Sequence, residues 1–338
     1  MKKIVSLLLV MLLAFSLCAC GAADTVSDIK IISDTDKTAE LKEANIYVLA
    51  GPTGIGAANL KEKADSGKAE GKYNITIVSD PTEVVAKISK KEADIAAIAT
   101  NLASNIYNKT NGEVTVLAVN TLGVLNVVTP KGVTVESLDD LKGKKIYTTG
   151  QGSNPEYIIN YLLENNNIDK EKDLTLEFKT VGDELLTVWA TDPDAVIIAP
   201  QPVATALTIK NEGAKIAIDL TKEWEKINQD SALMMGCIIV RNEFLKENKA
   251  TVDKFLEEYE ASIKAANENL ESTGALCQKY GIVANAAIAT KAIPNCNLCF
   301  VTGNEMKTKL SGYLEILFNA DTTAVGGKLP ADGFYYVD

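Results

Sequence analysis

The residue types that most often carry out chemistry are scarce in this sequence. None of its 338 residues is His, and Arg241 is the only arginine. A Ser-His-Asp triad, the usual general base and the commonest zinc ligand are therefore unavailable. The arginine clusters that often clamp carboxylates are missing as well. We expect a protein that binds a molecule without transforming it, and that holds no resident metal or cofactor.

Two cysteines stand at the spacing of a redox or metal motif, Cys296-Asn297-Leu298-Cys299. Such a C-x-x-C can be a redox pair or half of a metal site. A zinc site would need two more ligands, and the chain has neither a His nor a second C-x-x-C to provide them. We favour buried thiols beside a strand, or one structural disulfide.

A glycine-rich turn, GPTGIGAA at 51–58, follows a short apolar run and precedes a helical pattern. As a P-loop it lacks the Lys-Ser/Thr pair, because Ala57 and Ala58 stand there, and as G-x-G-x-x-G it ends in Asn59. Nucleotide binding is therefore not expected. Two interpretations remain: a plain tight turn, or a helix N-terminus whose free N–H groups meet a ligand at the carboxyl end of a strand.

A second turn, TGQGSNPE at 149–156, has the residues of a helix start. Ser153 or Asn154 can cap the helix, and Pro155 suits its first position. Gln201 stands between two prolines after another apolar run. These turns indicate where a second set of strands ends.

Polar pairs occupy the same place after other apolar runs, namely Ser79-Asp80 and Thr100-Asn101. Asp80 could contact a ligand or only cap the helix that follows it. Trp189 and Trp224 are the only tryptophans, and we expect both to lie in the core instead of forming a stacking platform.

Short apolar runs alternate with helical patterns from residue 44 onward, which is typical of an α/β fold. The chain is too long for a single core, so we expect its strands to form two separate sheets. We predict a two-lobe α/β fold in which each lobe is a mainly parallel sheet flanked by helices. Lobe 1 comprises 44–122 and 232–338, lobe 2 comprises 123–231, and two crossings join them. Strands are expected at 45–50, 73–78, 94–99, 114–120, 125–129, 145–148, 174–178, 195–199, 215–218 and 232–240, and helices at 55–63, 101–107, 155–164 and 252–270.

The N-terminus has the pattern of a bacterial lipoprotein signal. Lys2 and Lys3 precede an apolar stretch from 4 to 17, which is shorter than the roughly 20 residues that span a bilayer. The segment Leu17-Cys18-Ala19-Cys20 matches a lipobox. We predict a signal peptide at 1–19, lipid on Cys20 and a polar tether at 20–43, which together place the protein on the outer face of the cell membrane. The alternatives are an ordinary signal peptide with an incidental Cys, or a buried core helix.

The net charge of −11 argues against nucleic acid as a partner, because an acidic chain is repelled by phosphate backbones.

Taken together, these segments resemble the type II solute-binding proteins of ABC transporters, in the nitrate/taurine/sulfonate (NitT/TauT-like) class. The resemblance covers most of the chain after the signal. It is carried by GPTG at 51–54, DIAAI at 94–98, LDDLKGKK at 138–145, GQGSNPEYIINYLL at 150–163, and PQP at 200–202. Many relatives have an acidic or aromatic residue where Gln201 stands, which argues against a cationic ligand.

The resemblance implies two lobes that close over a solute and deliver it to ABC permease subunits. By position, the binding residues would be Thr53, Gly54, Asp80, Thr100, Asn101, Gln151, Ser153, Asn154 and Gln201. Such a pocket suits a neutral heterocycle, or a small anion such as a sulfonate, or a pyrimidine precursor. The protein would be a monomer and not an enzyme. The alternatives are an enzyme of the same fold that acts on a small metabolite, and a sensing lipoprotein without a transport role.

Overall fold

Eleven strands alternate with helices in the computed structural model, which describes residues 40–228 and 231–337. The predicted signal peptide and Cys20 lie outside the described residues. Among the residues that are described, none of the helices combines the length and apolarity needed to cross a membrane. The strands are β1 (Glu43–Leu49), β2 (Lys72–Val78), β3 (Ile95–Ala99), β4 (Val114–Thr121), β5 (Leu125–Thr129), β6 (Lys145–Thr149), β7 (Thr175–Lys179), β8 (Val196–Pro200), β9 (Lys215–Asp219), β10 (Gly236–Arg241) and β11 (Leu298–Val301).

The helices follow the strands in chain order, and short 3₁₀ turns extend several of the connections. They are α1 (Pro52–Asp65), α2 (Pro81–Ser89), α3 (Thr100–Lys109), α4 (Asn154–Asn165), α5 (Gly182–Leu185), α6 (Val203–Lys210), α7 (Leu220–Ile227), α8 (Asn242–Glu247), α9 (Lys249–Glu268), α10 (Leu270–Lys279), α11 (Ala286–Ala292) and α12 (Gly303–Ala320).

The strands form two sheets of closely related topology. The first has the order β11-β4-β10-β3-β1-β2, and the second has the order β7-β6-β8-β5-β9. In the first sheet, β1 is parallel to β2 and β3, whereas β10 and β11 run antiparallel to the strands beside them. In the second sheet, β6 is parallel to β7 and β8, whereas β5 runs antiparallel to β8 and β9. We call the first sheet, together with the helices packed on it, lobe 1, and the second sheet with its helices lobe 2. The predicted fold class is confirmed, whereas the residue boundaries of the lobes stay a prediction.

Continuous burial explains why the central strands are apolar along their whole length. Every residue of β4 and β5 is buried, as are the first four of β3. Strands covered on both faces need no alternation of polar and apolar residues. Proline or an aspartate cap then starts the helices: Pro52 begins α1, Asp80 caps α2 and Asp219 caps α7.

Two large apolar clusters fill the space around the sheets. One lies between the first sheet and the helices α1, α9 and α10, and includes Phe255 and Tyr259. The other contains residues of both sheets and includes Trp224 and Tyr313. Trp224 is fully buried, and Trp189 is half-buried with its ring N–H bonded to the carbonyl of Ala195. The expectation that both tryptophans belong to the core is confirmed.

The strand predicted at 232–240 is wrong at its beginning, because β10 starts only at Gly236. Residues 232–235 carry the chain between the lobes, and Met235 bonds through its backbone to Thr121 and Thr100. The ladder between β10 and β4 also shifts register between Gly236 and Cys237. A β-bulge of this kind ends regular pairing and bends the strand, which an apolar sequence pattern does not reveal.

Arg241 is a structural residue at the edge of the sheet opposite the crossings. Its Nη2 lies 2.7 Å from Asp94 Oδ1, and its Nε donates to the carbonyl of Ala93. The other oxygen of Asp94 accepts the backbone N–H of Asn45 at 2.9 Å. This nearly buried pair therefore joins β10, β3 and β1 and takes no part in binding at the crossings.

The C-terminal segment is fastened to the first crossing by Asn297, which has a left-handed backbone (φ 46°). Its Nδ2 donates to the carbonyl of Gly123 at 2.6 Å, and its own carbonyl accepts the N–H of Leu122 at 3.0 Å. The segment between Cys296 and Cys299 thus holds the connection between the sheets.

The four cysteines in the described part of the chain are free thiols, namely Cys237, Cys277, Cys296 and Cys299. Cys296 bonds to the carbonyl of Ala292 and Cys299 to that of Val119. Burial raises the pKa of all four thiols, to about 12 for Cys277 and Cys299. These contacts favour buried thiols over a disulfide or a redox pair.

These thiols should react slowly in the folded protein, since only the thiolate is nucleophilic and a pKa near 12 lowers its fraction at pH 8 by roughly a thousandfold. We expect little labelling by a thiol reagent at pH 8, and complete labelling of all four in denaturant. The measurement uses protein that begins at residue 40, followed by mass spectrometry. Rapid native labelling of Cys296 or Cys299, or a mass two hydrogens low for the pair, would contradict this.

Candidate functional site

The first crossing brings the strand ends of the two sheets together. β4 ends at Thr121 and β5 begins at Leu125, so residues 122–124 carry the chain from one sheet to the other. Because β5 runs antiparallel to β8 and β9, its first residues pair with their last ones. Leu125 pairs with Pro200 and Asn126 with Asp219.

The second crossing has the same effect in lobe 1. Gly236, the first residue of β10, pairs with Ala99 at the end of β3 and with Thr121 at the end of β4. The carboxyl ends of the parallel strands in both sheets therefore lie at the crossings. Open α/β sheets bind their ligands at such edges.

In lobe 1, Thr53 and Gly54 lie in the first turn of α1. Gly51 precedes them with φ 91°, a backbone conformation that favours glycine, so the turn passes directly from β1 into the helix. The hydroxyl of Thr53 donates to the carbonyl of Leu49 at 2.8 Å. A side chain at Gly54 would meet that same carbonyl and Ile282. Gly54 therefore allows close packing of the turn, and Thr53 remains half-buried at its surface.

Tyr259 connects this turn to the end of β4, although sequence reasoning did not identify it. Its fully buried hydroxyl donates to the carbonyl of Thr53 at 3.2 Å and accepts Asn120 Nδ2 at 3.0 Å. Burial raises the pKa of this hydroxyl, so it stays protonated and able to do both. A Cβ at Gly236 would lie 2.7 Å from Asn120 Oδ1 and 2.8 Å from Thr53 Cγ2. These four residues form one polar cluster, which we call the lobe 1 floor.

Three other predicted residues of lobe 1 follow neighbouring strands. The hydroxyl of Thr100, fully buried, donates to the carbonyl of Met234. Asp80 is exposed and accepts two hydrogen bonds from Thr82, which hold the pKa of its carboxyl below the usual range. Asp80 thus caps α2. Asn101 is half-buried, and its carbonyl accepts the side chain of Asn105.

In lobe 2, the predicted residues between β6 and α4 differ in exposure. Gln151 is exposed, and the hydroxyl of Ser153 donates to the carbonyl of Gly150 at 2.8 Å. Asn154, the first residue of α4, is only 4% exposed, and neither Nδ2 nor Oδ1 of its side chain has a hydrogen-bond partner.

Gln201 lies at the end of β8, directly against the first crossing. Its backbone N–H donates to the carbonyl of Val124 at 2.9 Å. Its Oε1 accepts both the hydroxyl of Thr205 at 2.7 Å and the N–H of Thr205 at 3.3 Å. Its Nε2 is buried without a partner.

Thr221 is a second residue that sequence reasoning missed. It follows the Asp219 cap of α7, is 8% exposed, and has a hydroxyl without a partner. That hydroxyl lies 2.2 Å from where a Cβ on Gly123 would stand, so it faces the first crossing. Thr221 stands two residues after a capping Asp at the end of a strand, as Thr82 does after Asp80, and this spacing is a signal that could have identified it.

A groove of about 800 Å³ lies between α4 and α12 and reaches the turn after β6 at Gly152. The nine predicted binding residues are not among those that line it. It is lined by Gly152, Glu156, Tyr157, Asn160, Tyr161, Glu164, Asn165, Lys170, Ile316, Asn319, Ala320 and Asp321. Asn160 Oδ1 in this groove also lacks a partner, but we base the site on the strand ends because Asn154, Gln201 and Thr221 lie together at that edge of the sheet.

The buried polar groups at the strand ends are all uncharged. They are amides and hydroxyls, whereas the charged Asp80 is exposed. In the described ranges no group of three or more His, Cys, Asp or Glu is placed to hold a metal ion. The arrangement can accept and donate hydrogen bonds to a small molecule in a water-poor space.

Tyr259→Phe should lower the free energy of unfolding by about 1–2 kcal/mol, because the buried amide of Asn120 and the carbonyl of the half-buried Thr53 each lose a hydrogen bond. Tyr313→Phe is a matched control, since the Tyr313 hydroxyl is equally buried but has no partner. We expect the control to leave stability unchanged or to raise it. Urea denaturation measures both, and an equal effect of the two substitutions would contradict the role given to Tyr259.

Comparison with known proteins agrees with this architecture. The family model described as NMT1/THI5 like matches residues 68–272. No curated protein matches the sequence. A crystal structure described as an ABC transporter from Parabacteroides distasonis is 22% identical with a TM-score of 0.73, covering 87% of this chain and 98% of that one.

Two further structures are similar in fold. The periplasmic aliphatic sulphonate binding protein of Escherichia coli has 12% identity and a TM-score of 0.70, covering 88% of this chain and 92% of that one. The periplasmic nitrate-binding protein of Synechocystis PCC 6803 has 14% identity and a TM-score of 0.54, covering 72% and 67%. Since the family model spans more than half of the sequence, this chain belongs to the NMT1/THI5-like family, and its fold is that of the type II periplasmic-binding proteins.

Proposed function

We propose that this protein is an extracytoplasmic receptor that binds a small organic solute and delivers it to an ABC importer. The observation that carries the proposal is the meeting of both sets of strand ends at two crossings, with buried amides of Asn154 and Gln201 that lack partners. The descriptions of the similar structures, which name an ABC transporter and binding proteins for sulphonate and nitrate, support it.

The two crossings would act as the hinge. The connection formed by residues 122–124 is short, so a small change in its backbone angles would move one sheet edge relative to the other. On closure, the lobe 1 floor would cover one side of the solute, and Asn154, Gln201 and Thr221 the other. A closed, loaded receptor is the form that permease subunits would recognise.

Binding without turnover is the role that these residues support best. The sequence has no His, and the pKa of each described thiol is raised by burial, so neither offers a general base or a nucleophile near pH 7. We propose a neutral heterocycle or a small anion as the solute, bound by a monomeric receptor.

A solute that binds the folded chain should raise its melting temperature. At a concentration of about 100 times Kd the stabilisation is about 2.7 kcal/mol. We expect at least one member of a library of vitamins, heterocycles, sulfonates and amino acids to do this, and to reduce the radius of gyration in solution scattering. Turnover of the bound compound would point to an enzyme, and a library without any stabilising member would argue against a receptor.

The N-terminal sequence supports a lipid anchor on Cys20, which would keep the receptor next to its permease on the outer face of the membrane.

Replacing the predicted acceptor, Cys20→Ser, should abolish incorporation of labelled palmitate and release the protein from the membrane fraction. Cys18→Ser is the matched control, because Cys18 lies two residues earlier in the same segment and should not carry lipid. Palmitate labelling that survives Cys20→Ser, or is lost only with Cys18→Ser, would show that the assignment is wrong.

A further inference from the structure

We propose that the solute is a neutral molecule with an amide-like edge, that is, a hydrogen-bond donor beside an acceptor, as in a carboxamide, a lactam or a cyclic urea. The inference rests on the proposed function and narrows it, because it excludes the carboxylate and sulfonate anions. It follows from the unpaired polar atoms of three buried residues at the strand ends of lobe 2.

Gln201 presents a donor to the solute, and its orientation is fixed. An amide oxygen and nitrogen are normally hard to tell apart from their positions alone. Here the backbone N–H of Thr205 can only donate, so the atom that it meets must be Oε1. The hydroxyl of Thr205 bonds to the same oxygen at 2.7 Å. Nε2, buried in a side chain that is 1% exposed, therefore needs an acceptor from the solute.

Asn154 presents both a donor and an acceptor. Asn154 is only 4% exposed, and neither polar atom of its side chain has a hydrogen-bond partner. A buried polar group left unsatisfied costs about 1–3 kcal/mol. Whichever way the amide is turned, satisfying it takes one donor and one acceptor. A solute with only acceptors leaves the Asn154 oxygen unpaired.

Thr221 adds a hydroxyl that can donate or accept, next to Gly123 in the first crossing. Because the backbone of Gln201 also bonds to this crossing at Val124, the two residues flank it. The three residues follow β6, β8 and β9, whose carboxyl ends share one edge of the sheet.

The charged side chains beside Thr221 offer no buried cation to an anion, because Asp219 is a half-buried carboxylate and Lys222 is exposed. Arg241 is bound to Asp94 at the opposite edge of its sheet. The N-terminus of α4 could attract negative charge, but it would not pair the oxygen of Asn154. Burying an anion without a cation is costly, whereas an amide edge matches Asn154 and Gln201 together.

Matched sets of compounds test the inference on the full chain, purified in detergent. Each set contains one skeleton as its carboxamide, carboxylate and sulfonate, for example nicotinamide, nicotinate and pyridine-3-sulfonate, with lactams and cyclic ureas added. We expect calorimetry to show binding of neutral members, at least about tenfold tighter than their anions. If an anion, or a neutral compound without an amide edge, binds best, the solute class is wrong while the receptor function stands. If no compound of these sets or of the wider library binds, both proposals fail.

Two substitutions test the residues themselves. Asn154→Leu keeps the shape of the side chain and removes two unpaired buried atoms, so it should keep or raise the melting temperature while weakening amide binding at least about tenfold. Gln201→Met, similar in length, should weaken it by a similar factor. Gln278→Met is the control, because Gln278 is exposed and its Oε1 accepts the N–H of Ala286 in lobe 1. Unchanged affinity in a folded Asn154→Leu protein would overturn the inference.

Discussion

The architecture depends on one constraint: each sheet contains a strand that arrives directly from the other sheet and runs antiparallel to its neighbours. β5 enters the second sheet from β4, and β10 enters the first sheet at the second crossing. An antiparallel strand that enters at its amino end meets the carboxyl ends of the strands beside it. The edges at which α/β folds expose helix N-termini and loop side chains are thereby held facing the same two connections.

Much of this arrangement could be predicted from the sequence, because it is written in local patterns. The run IAAIA at 95–99 is buried along nearly its whole length, and the turn at Gly51 passes into a helix as its composition indicates. Asp80 caps α2, which is one of the two roles that the sequence leaves open for it, and its contact with a ligand stays a prediction. The helical pattern at 252–270 is mostly α9, which ends at Glu268 before α10 begins.

The parts that could not be predicted depend on contacts between distant residues. Tyr259 reaches Thr53 and Asn120 from 206 and 139 positions away in the chain. The start of β10 depends on a register shift against β4, which no run of apolar residues specifies. The nine site residues are implied by the family resemblance, and all of them lie in segments that follow strands. Their hydrogen bonds distinguish among them. The hydroxyls of Thr100 and Ser153 donate to backbone carbonyls, whereas Asn154 and Gln201 have side-chain amide atoms without a hydrogen-bond partner.

The bond between Asn297 and Gly123 has a mechanical consequence. A two-lobe receptor is usually described as two rigid bodies joined by two connecting segments. Here a third segment, at Asn297, is hydrogen-bonded to the first of those connections. Any twist at residues 122–124 must be shared with the segment that leads into β11 and α12. In the proposed receptor, the angle between the lobes would therefore depend in part on residues 297–337, far in sequence from the groups that would touch a solute. Substitutions in this distal region would change the fraction of molecules in the open form without altering a contact between the solute and the site.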